Sequence, residues 1–209
     1  DYGILMIIFK SVKWQNLLST GNVWTEIQLD KSPNTLVIGE NGAGKSTILD
    51  ALCFVLFGKP FRKINKPQLV NSVNLKGTEV EVEFEVGSIQ YKVVRGLKPG
   101  KFEIYVNDKM LDQTASVRDY QEYLEKTILK LNFNSFTQIV ILGSSTFVPF
   151  MQLPAQQRRE IIEDLLDIKI FTAMNVLLKE KLQTNKSNLK DIKMFIDLEE
   201  EKLDVHKQY

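Results

Sequence analysis

The spacing of hydrophobic residues predicts an antiparallel sheet in the first half of the chain. Apolar and polar residues alternate at 5–13 and 24–30, which is typical of strands. Residues 78–86, TEVEVEFEV, alternate Glu with Val or Phe, and this period of two predicts a half-buried strand with an acidic outer face. The pattern continues at 89–95 and 102–106 after short turns that contain Gly or Pro. We therefore expect an antiparallel meander.

Two short apolar runs predict buried strands, and two longer segments predict helices. The runs are TLVI at 35–38 and QIVIL at 138–142. At 45–57 apolar residues recur at helical spacing, and Gly58 with Pro60 ends the pattern. Residues 116–131 also have a helical pattern, with Ser116 as the candidate N-terminal cap.

A glycine-rich loop lies between the predicted strand at 35–38 and the helix that follows it. Its sequence, GENGAGKST at 39–47, matches the pattern G-x-x-x-x-G-K-S/T. Glycines let the backbone turn so that successive N–H groups point at a phosphate, and the positive end of the next helix adds to the attraction. In such loops the lysine, here Lys45, reaches the β- and γ-phosphates, and the hydroxyl, here that of Ser46, coordinates Mg²⁺. The sequence therefore predicts a site for ATP and Mg²⁺. The predicted contacts within the loop are Asn41, Gly42, Ala43, Gly44, Lys45, Ser46 and Thr47.

Composition excludes several classes of chemistry. Cys53 and His206 are the only cysteine and the only histidine among 209 residues. The chain therefore has no internal disulfide, no Cys/His metal cluster and no Ser-His or Cys-His nucleophile. The first apolar run, at 4–9, is too short for a membrane span. Because the net charge is only +1, contact with nucleic acid would depend on local patches. One candidate patch is the predicted hairpin tip with Arg95, Lys98 and Lys101, for which surface charge without function is the alternative.

The last quarter of the chain has the composition of a long helix. No glycine or proline occurs at 155–209. If Phe171 is placed at position d of a heptad, seven of the ten a and d positions that follow from it are apolar. Those ten positions are Phe171, Asn175, Leu178, Leu182, Asn185, Leu189, Ile192, Ile196, Glu199 and Leu203. We expect a coiled-coil helix whose partner helix is missing from this chain, and a single amphipathic helix packed on the globular part is the alternative.

Four segments together resemble one protein family. They are NLLSTG at 16–21, GENGAGKSTILDAL at 39–52, FGKPFR at 57–62 and FVPFMQLPAQQRREIIEDLL at 147–166. Their combination is similar to the N-terminal half of the ATPase head of SMC-like DNA-repair proteins, especially the SbcC-type subunit of double-strand-break nucleases and the large subunit of phage recombination endonucleases. The resemblance implies an α/β P-loop NTPase fold, an ABC/SMC-like N-terminal head lobe with an antiparallel β meander and a protruding coiled-coil helix.

The resemblance also implies a domain division and further site residues. The lobe would occupy 1–166 and the first part of the coiled coil 167–209. Gln138 matches the family's Q-loop glutamine, which ligates Mg²⁺ and orients the attacking water, so Lys45 and Gln138 are the expected catalytic residues. Asn16 and Ser19 fall where relatives contact the adenine and the phosphates. Arg62 and Lys63 fall where relatives have basic residues near the phosphates or DNA, and a solvated loop charge is an equal alternative for both.

The parts of the family's site that complete hydrolysis are missing from the sequence. Hydrolysis needs an apolar strand ending in Asp-Glu, the Walker B motif, and this family also uses a Leu-Ser-Gly-Gly signature. Neither run occurs in the chain. In the family both belong to a C-terminal lobe that follows the coiled coil. We therefore expect that the whole protein is an ATPase and that this chain alone does not hydrolyse ATP.

The resemblance implies partners and a location as well. They are a head-to-head homodimer, the C-terminal lobe of the same protein, double-stranded DNA, and an SbcD-type metal-dependent nuclease subunit docked on 160–209. The expected location is the cytoplasm of a bacterium or of a phage-infected host, with no membrane contact. Three rivals share the phosphate loop: a transporter's nucleotide-binding subunit, a cohesin- or condensin-like DNA tether, and a RecF-type recombination mediator.

Overall fold

The computed structural model describes residues 6–112, 116–141, 148–166 and 168–207, and a six-stranded antiparallel sheet lies at its centre. The strands are β1 (Ile7–Gln15), β2 (Thr25–Gln28), β3 (Thr78–Val86), β4 (Ile89–Leu97), β5 (Lys101–Val106) and β6 (Lys109–Met110). The helices are α1 (Thr47–Phe57), α2 (Val117–Tyr123), α3 (Phe133–Ile139), α4 (Ala155–Leu165) and α5 (Lys169–Lys207). The strand order is β2-β1-β3-β4-β5-β6, so the predicted meander is confirmed as β3, β4 and β5.

The described residues divide into two units between Ile161 and Ile162. The first carries the sheet and α1 to α3, and α5 makes up most of the second. α5 is 39 residues long, which confirms the predicted long helix, and its described side chains from Ile170 onwards are exposed. The finer division into 1–166 and 167–209 stays a prediction, and residue 167 lies outside the described residues. In the part of the chain that the structure describes, every helix is too short or too polar to span a bilayer.

α1 is enclosed by the rest of the first unit. It ends where Gly58 adopts a left-handed φ of 69° and donates its N–H to the carbonyl of Phe54, a conformation that glycine adopts without steric cost. Its residues 53–56, CFVL, are fully buried. One side packs on β1, β3 and β4. On another side the ring of Phe57 lies 5.1 Å from that of Phe136 and 5.8 Å from that of Phe133. Burial on this scale fixes where α1, and the loop that precedes it, can lie.

The glutamates of β3 form the predicted outer face, and lysines from β1, β4 and β5 cover it. Lys13 of β1 lies 2.9 Å from the carboxylate of Glu81, and Lys101 of β5 lies 2.8 Å from that of Glu79. The hydrogen bond to Glu79 raises the pKa of Lys101, against the effect of partial burial. Opposite charges on different strands therefore balance one another across this face of the sheet.

The predicted buried strand at 35–38 is wrong for this chain. Residues 35–38 have no strand structure, and Leu36 and Ile38 are 83% and 81% exposed. A strand needs neighbours that accept and donate its backbone hydrogen bonds. The edge strands of the sheet, β2 and β6, pair only with β1 and β5. Residues 35–38 pair with none of the strands that the structure describes.

The predicted strand at 138–142 is also wrong, since Gln138 and Ile139 are the last residues of α3. Asn132 caps this helix by accepting a hydrogen bond from the N–H of Ser135 at 2.9 Å. Phe136 is buried between the rings of Phe9 and Phe57. A short apolar run does not distinguish a strand from the end of a buried helix. Residue 142, the last of the predicted strand, lies outside the described residues.

Arg95 does not belong to a basic hairpin tip, because it is 6% exposed in the middle of the fold. Its Nε donates to the carbonyl of Val55 at 3.0 Å, and its Nη2 donates to Oε1 of Gln121 at 2.6 Å. The guanidinium also lies 3.7 Å from the ring centre of Phe102. Burial lowers its pKa to about 9, which leaves it charged at neutral pH. Arg95 therefore ties the last turn of α1 to β4 and α2.

We predict that Arg95→Met destabilises the chain by about 2–4 kcal/mol, because it leaves the carbonyl of Val55 and the amide of Gln121 without their buried donor. Urea unfolding followed by the fluorescence of Trp14, which is 3% exposed, measures the change. Arg118→Met, at an exposed position of α2, is the matched control and should stay within about 0.5 kcal/mol of the native chain. Equal stability of the two variants would contradict the structural role of Arg95.

Candidate functional site

The glycine-rich loop at 39–47 connects the exposed run at 35–38 to α1. Gly42 and Gly44 have φ values of 90° and 86°, a region that side chains with a Cβ rarely adopt. The N–H of Ala43 donates to the carbonyl of Glu40 at 3.2 Å and that of Thr47 to the carbonyl of Gly44 at 2.9 Å. The other amides at 41–46 make no hydrogen bond to any residue that the structure describes. The loop therefore offers backbone donors to a ligand.

Lys45 supplies the positive charge of the loop. Its Nζ donates to the carbonyls of Gly39 and Glu40, at 2.7 Å each. These two bonds place the ammonium across the start of the loop. Thr47 begins α1, so the positive end of that helix adds to the charge of Lys45.

The loop opens on a pocket of about 510 Å³ that several other segments complete. The size is that of a site for a small ligand. The residues that line it are Leu18, Ser19, Asn41, Gly42, Gly44, Lys45, Ser46, Thr47, Arg62, Gln68, Val70 and Ser72. This set includes two cationic side chains and no carboxylate, so the described lining suits an anionic ligand. It brings together eight of the residues predicted from the sequence: Ser19, Asn41, Gly42, Gly44, Lys45, Ser46, Thr47 and Arg62.

The donors in this pocket fit a nucleotide phosphate with its Mg²⁺. Backbone N–H groups, an ammonium and hydroxyls are donors that phosphate oxygens accept. Mg²⁺ in such sites keeps several waters and takes few protein ligands besides the phosphates. Among the described residues no group of three or more His, Cys, Asp and Glu could hold a metal. Ser46 lines the pocket, and its contact with Mg²⁺ stays a prediction.

Arg62 is fixed at the pocket by a buried carboxylate. Asp50 of α1 is fully buried, and its Oδ2 lies 2.6 Å from both Nε and Nη2 of Arg62. Its Oδ1 accepts from the backbone N–H groups of Phe61 and Arg62 at 3.1 Å each. Arg62 is thus not a freely solvated loop charge. Lys63 is exposed and does not line the pocket.

Asn16 does not line the pocket, and the contact expected from the resemblance stays a prediction. Its side chain is 7% exposed, donates from Nδ2 to the carbonyl of Gly77 at 3.1 Å and accepts from Nδ2 of Asn74 at 2.6 Å. Its own carbonyl accepts from the hydroxyl of Thr78 at 2.7 Å. With these bonds made, Asn16 holds the end of β1 against the start of β3. Ala43 also lies outside the lining set.

The structure does not bring Gln138 to the pocket that contains Lys45 and Ser46. Gln138 instead lines a separate pocket of about 110 Å³ with residues of α3 and α4. Its Oε1 is buried and has no donor among the described residues. The expected roles of Gln138 as a Mg²⁺ ligand and in orienting water therefore remain predictions that this geometry does not support.

Four lining residues were not among those predicted from the sequence: Leu18, Gln68, Val70 and Ser72. The last three lie around Asn71, which is 5% exposed and hydrogen-bonded on both sides of its amide. An isolated bridge between Leu17 and Val70 joins this segment to the residues after β1. The weak signal in the sequence was the pair of asparagines in NSVN at 71–74, since asparagine often bonds to nearby backbone.

The fold and the pocket define a class of protein. A strained glycine loop, free backbone amides, a lysine and a helix N-terminus form the phosphate-binding arrangement of P-loop NTPases. The antiparallel meander and the long C-terminal helix are the elements expected of an SMC-like head at the start of its coiled coil. The chain is therefore a P-loop NTPase head lobe with the beginning of a coiled coil.

Comparison with known proteins places the chain within a family. The sequence profile of the AAA domain matches residues 11–208, and the chain belongs to this family. A relative named Exonuclease subunit 2, from Escherichia phage RB69, is 44% identical over 172 residues, which are 82% of this chain and 30% of that protein. A DNA double-strand break repair Rad50 ATPase from Thermoplasma volcanium is 27% identical over 191 residues, 88% of this chain and 21% of that protein. The chain thus spans less than a third of the length of either relative.

A solved structure agrees with the fold. The Smc head domain with a coiled coil and joint from Pyrococcus yayanosii matches with a TM-score of 0.58 and 22% identity, over 95% of this chain and 40% of that one. The resemblance to SMC-like repair ATPases and phage exonuclease subunits that the sequence motifs indicated is confirmed.

We predict that Asp50→Asn destabilises the chain by about 2–3 kcal/mol, because an amide at this position removes the negative charge that faces Arg62 and turns an N–H₂ group toward buried donors. Urea unfolding monitored by tryptophan fluorescence measures the loss. Asp191→Asn, at an exposed position of α5, makes the same chemical change and should have no measurable effect. An unchanged midpoint for Asp50→Asn would show that the Asp50–Arg62 contact contributes little.

Proposed function

We propose that this chain is the ATP-binding lobe of an SMC-like DNA repair and recombination ATPase whose heads dimerise on ATP and control a partner nuclease at ends of double-stranded DNA. The observation that carries the proposal is the pocket in which free amides of the loop, Lys45 and Ser46 converge. The names of the phage and archaeal relatives support the DNA-repair part of the proposal.

The residues of the pocket would divide the work of holding MgATP. The loop amides and Lys45 bind the β- and γ-phosphates, and the hydroxyl of Ser46 binds Mg²⁺, which neutralises charge on the phosphates when it is bound. Arg62, fixed by Asp50, places a second positive charge at the pocket. Ser19 reaches the pocket from the turn after β1. Together these groups bind and orient the nucleotide.

This lobe would supply only half of the hydrolytic site. The lining of the pocket contains no carboxylate that could act as general base among the described residues. The sequence also lacks the Walker B and signature runs. Because the chain spans 30% of the phage relative, we propose that a C-terminal lobe of the same protein and the opposing head of a homodimer complete the site. Alone, the chain would bind nucleotide and hydrolyse almost none.

The exposed run at 36–38 supports a C-terminal lobe as a partner. Leu36 and Ile38 are more than 80% exposed, and Val37 lines a groove with Ile48 and Leu49 of α1. Apolar surface of this kind marks an interface. Strands of the C-terminal lobe would pair with this run and give it the backbone partners that the present sheet does not provide.

α5 would carry the coiled coil and the docking site of the nuclease subunit. Its a and d positions form one exposed apolar seam. Ile170, Met174 and Leu177 lie off that seam at helical spacing and are also exposed. A returning coil helix covers only the seam, so the apolar surface near the start of α5 stays exposed. We propose that an SbcD-type metal-dependent nuclease subunit docks there, within 160–209.

The exposed seam favours this proposal over a transporter subunit or a RecF-type mediator. For the location we propose the cytoplasm of a bacterium or a phage-infected host.

We predict that the chain binds ATP in the presence of Mg²⁺ with negligible turnover, and that Lys45→Ala weakens ATP binding by at least about 100-fold because the contact of a cation with phosphate is lost. Isothermal titration measures binding, and phosphate release measures turnover. Lys63→Ala, an exposed lysine outside the pocket, should bind like the native chain. Steady hydrolysis that Lys45→Ala abolishes would overturn the claim of an incomplete site, and undiminished binding by Lys45→Ala would overturn the phosphate site.

We predict that replacing Leu36 and Ile38 together by Ser weakens co-purification of this chain with a separately expressed C-terminal lobe, because the interface loses apolar area. Pull-down from cells that express both parts measures the association. Val117→Ser, which changes a residue that is 68% exposed on α2, is the control and should leave the pull-down unchanged. If the double variant associates normally, the run at 36–38 is not the contact.

A further inference from the structure

The phosphate loop and Arg62 form only part of the pocket wall, and two other segments form the rest. Leu18 and Ser19 come from the turn after β1, and Gln68, Val70 and Ser72 come from the segment before β3. These residues carry two apolar side chains, two hydroxyls and an amide. Such a wall has no charge for phosphate, but its chemistry suits the face of a base and the hydroxyls of a ribose.

The turn that carries Leu18 and Ser19 has a strained backbone. Asn16 and Leu18 have φ values of 50° and 56°, in the left-handed region. A non-glycine residue adopts that conformation only at a steric cost, so surrounding contacts must hold it. Within the turn, the hydroxyl of Thr20 donates to the carbonyl of Leu17 at 2.6 Å. This bond closes the turn but does not fix where it lies relative to the pocket.

Asn71 fixes the turn from outside. It is 5% exposed, and its Nδ2 donates to the carbonyls of Leu18 and Thr20 at 3.0 Å each. Its Oδ1 accepts from the N–H groups of Val73 and Asn74 at 2.9 and 2.8 Å. The amide uses both donors and accepts two bonds, so its orientation is determined on both sides. The backbone already bridges the two segments that form the wall, at Leu17 and Val70 and through the N–H of Leu18, which donates to the carbonyl of Leu69 at 2.7 Å. The side chain of Asn71 adds two further bonds between them.

We propose that Asn71 is a positioning residue for nucleoside recognition: it holds the turn that carries Leu18 and Ser19 against the segment 68–72, so that both meet the nucleoside end of an ATP molecule. The inference rests on the proposed function, since the loop must first bind the triphosphate. The proposal divides the affinity for ATP into two contributions. The loop at 39–47 binds phosphate whatever it is attached to, and the wall held by Asn71 contributes only when a nucleoside is present.

Asn71→Asp tests this division, because a carboxylate keeps the acceptor but faces the carbonyls of Leu18 and Thr20 with oxygen instead of donors. Binding of ATP and of inorganic tripolyphosphate is measured by titration calorimetry on the 209-residue chain, with Mg²⁺. We expect ATP binding to weaken by about tenfold, as the competent turn becomes less populated, and tripolyphosphate binding to change less than about twofold. Asn74→Asp is the matched control in the same segment. Its side chain contacts Asn16 and not the turn at 17–20, so the ratio of the two affinities should stay native.

The outcomes of this experiment distinguish a failure of the role of Asn71 from a failure of the proposed nucleotide binding. If the native chain binds neither ligand, the proposed function fails and the inference fails with it. If the native chain binds both ligands but Asn71→Asp keeps the native ratio, only the role of Asn71 is overturned. The role of Asn71 is also overturned if Asn74→Asp lowers the ratio of ATP affinity to tripolyphosphate affinity as much as Asn71→Asp does. If a thermal melt shows that Asn71→Asp does not fold, two other variants replace it. Asn71→Ser keeps one short donor, and Leu18→Ala removes a lining side chain. Both must weaken ATP binding more than tripolyphosphate binding. Equal loss of both ligands in these variants would also overturn the proposal.

Discussion

The burial of α1 on nearly all sides is the constraint on which the rest of the first unit depends. A helix with the sequence CFVL fully buried at 53–56 has no solvent face there, so it needs a sheet on one side and an aromatic cluster on another. Arg95 anchors its last turn and Asp50, within it, anchors the segment that bears Arg62. Because α1 cannot shift without losing these contacts, the loop at its N-terminus has a fixed position. The rigidity of the phosphate site therefore follows from core packing some distance away from it.

Local patterns in the sequence were sufficient where a structure depends on nearby residues. The meander, α1 with its terminating Gly58, the cap at Ser116 and the loop around Lys45 follow from periodicity and turn chemistry. The run at 35–38 was misjudged because an apolar pattern does not show whether a neighbouring strand exists, and none of the described strands pairs with it. Residues 138–141 were misjudged because a four-residue apolar run fits a helix end as well as a strand. Arg95 was misjudged because charge alone gave no hint of the carbonyl, amide and ring that receive it.

The candidate site shows the same division between local and long-range information. Lys45 and Ser46 could be predicted because the motif is continuous in sequence. Asn16 and Asn71 could not be assigned, since the bonds that define their roles reach residues about fifty to sixty positions away. The side chains of both asparagines bond to backbone groups, and neither lines the pocket. An expectation that polar residues near a motif are ligands therefore overestimates contacts and overlooks the residues that shape the pocket.

The position of Lys45 has a consequence for how ligands compete at the loop. Its ammonium already bonds to the carbonyls of Gly39 and Glu40 at 2.7 Å, so the side chain is ordered and partly neutralised by dipoles of its own loop. An anion does not find a mobile cation but displaces, or shares, two existing acceptors. Much of the entropy of fixing a long side chain is thus lost on folding and not on binding. Binding becomes an exchange of neutral oxygens for charged ones, and this exchange favours ligands with high charge density over larger, more diffuse anions.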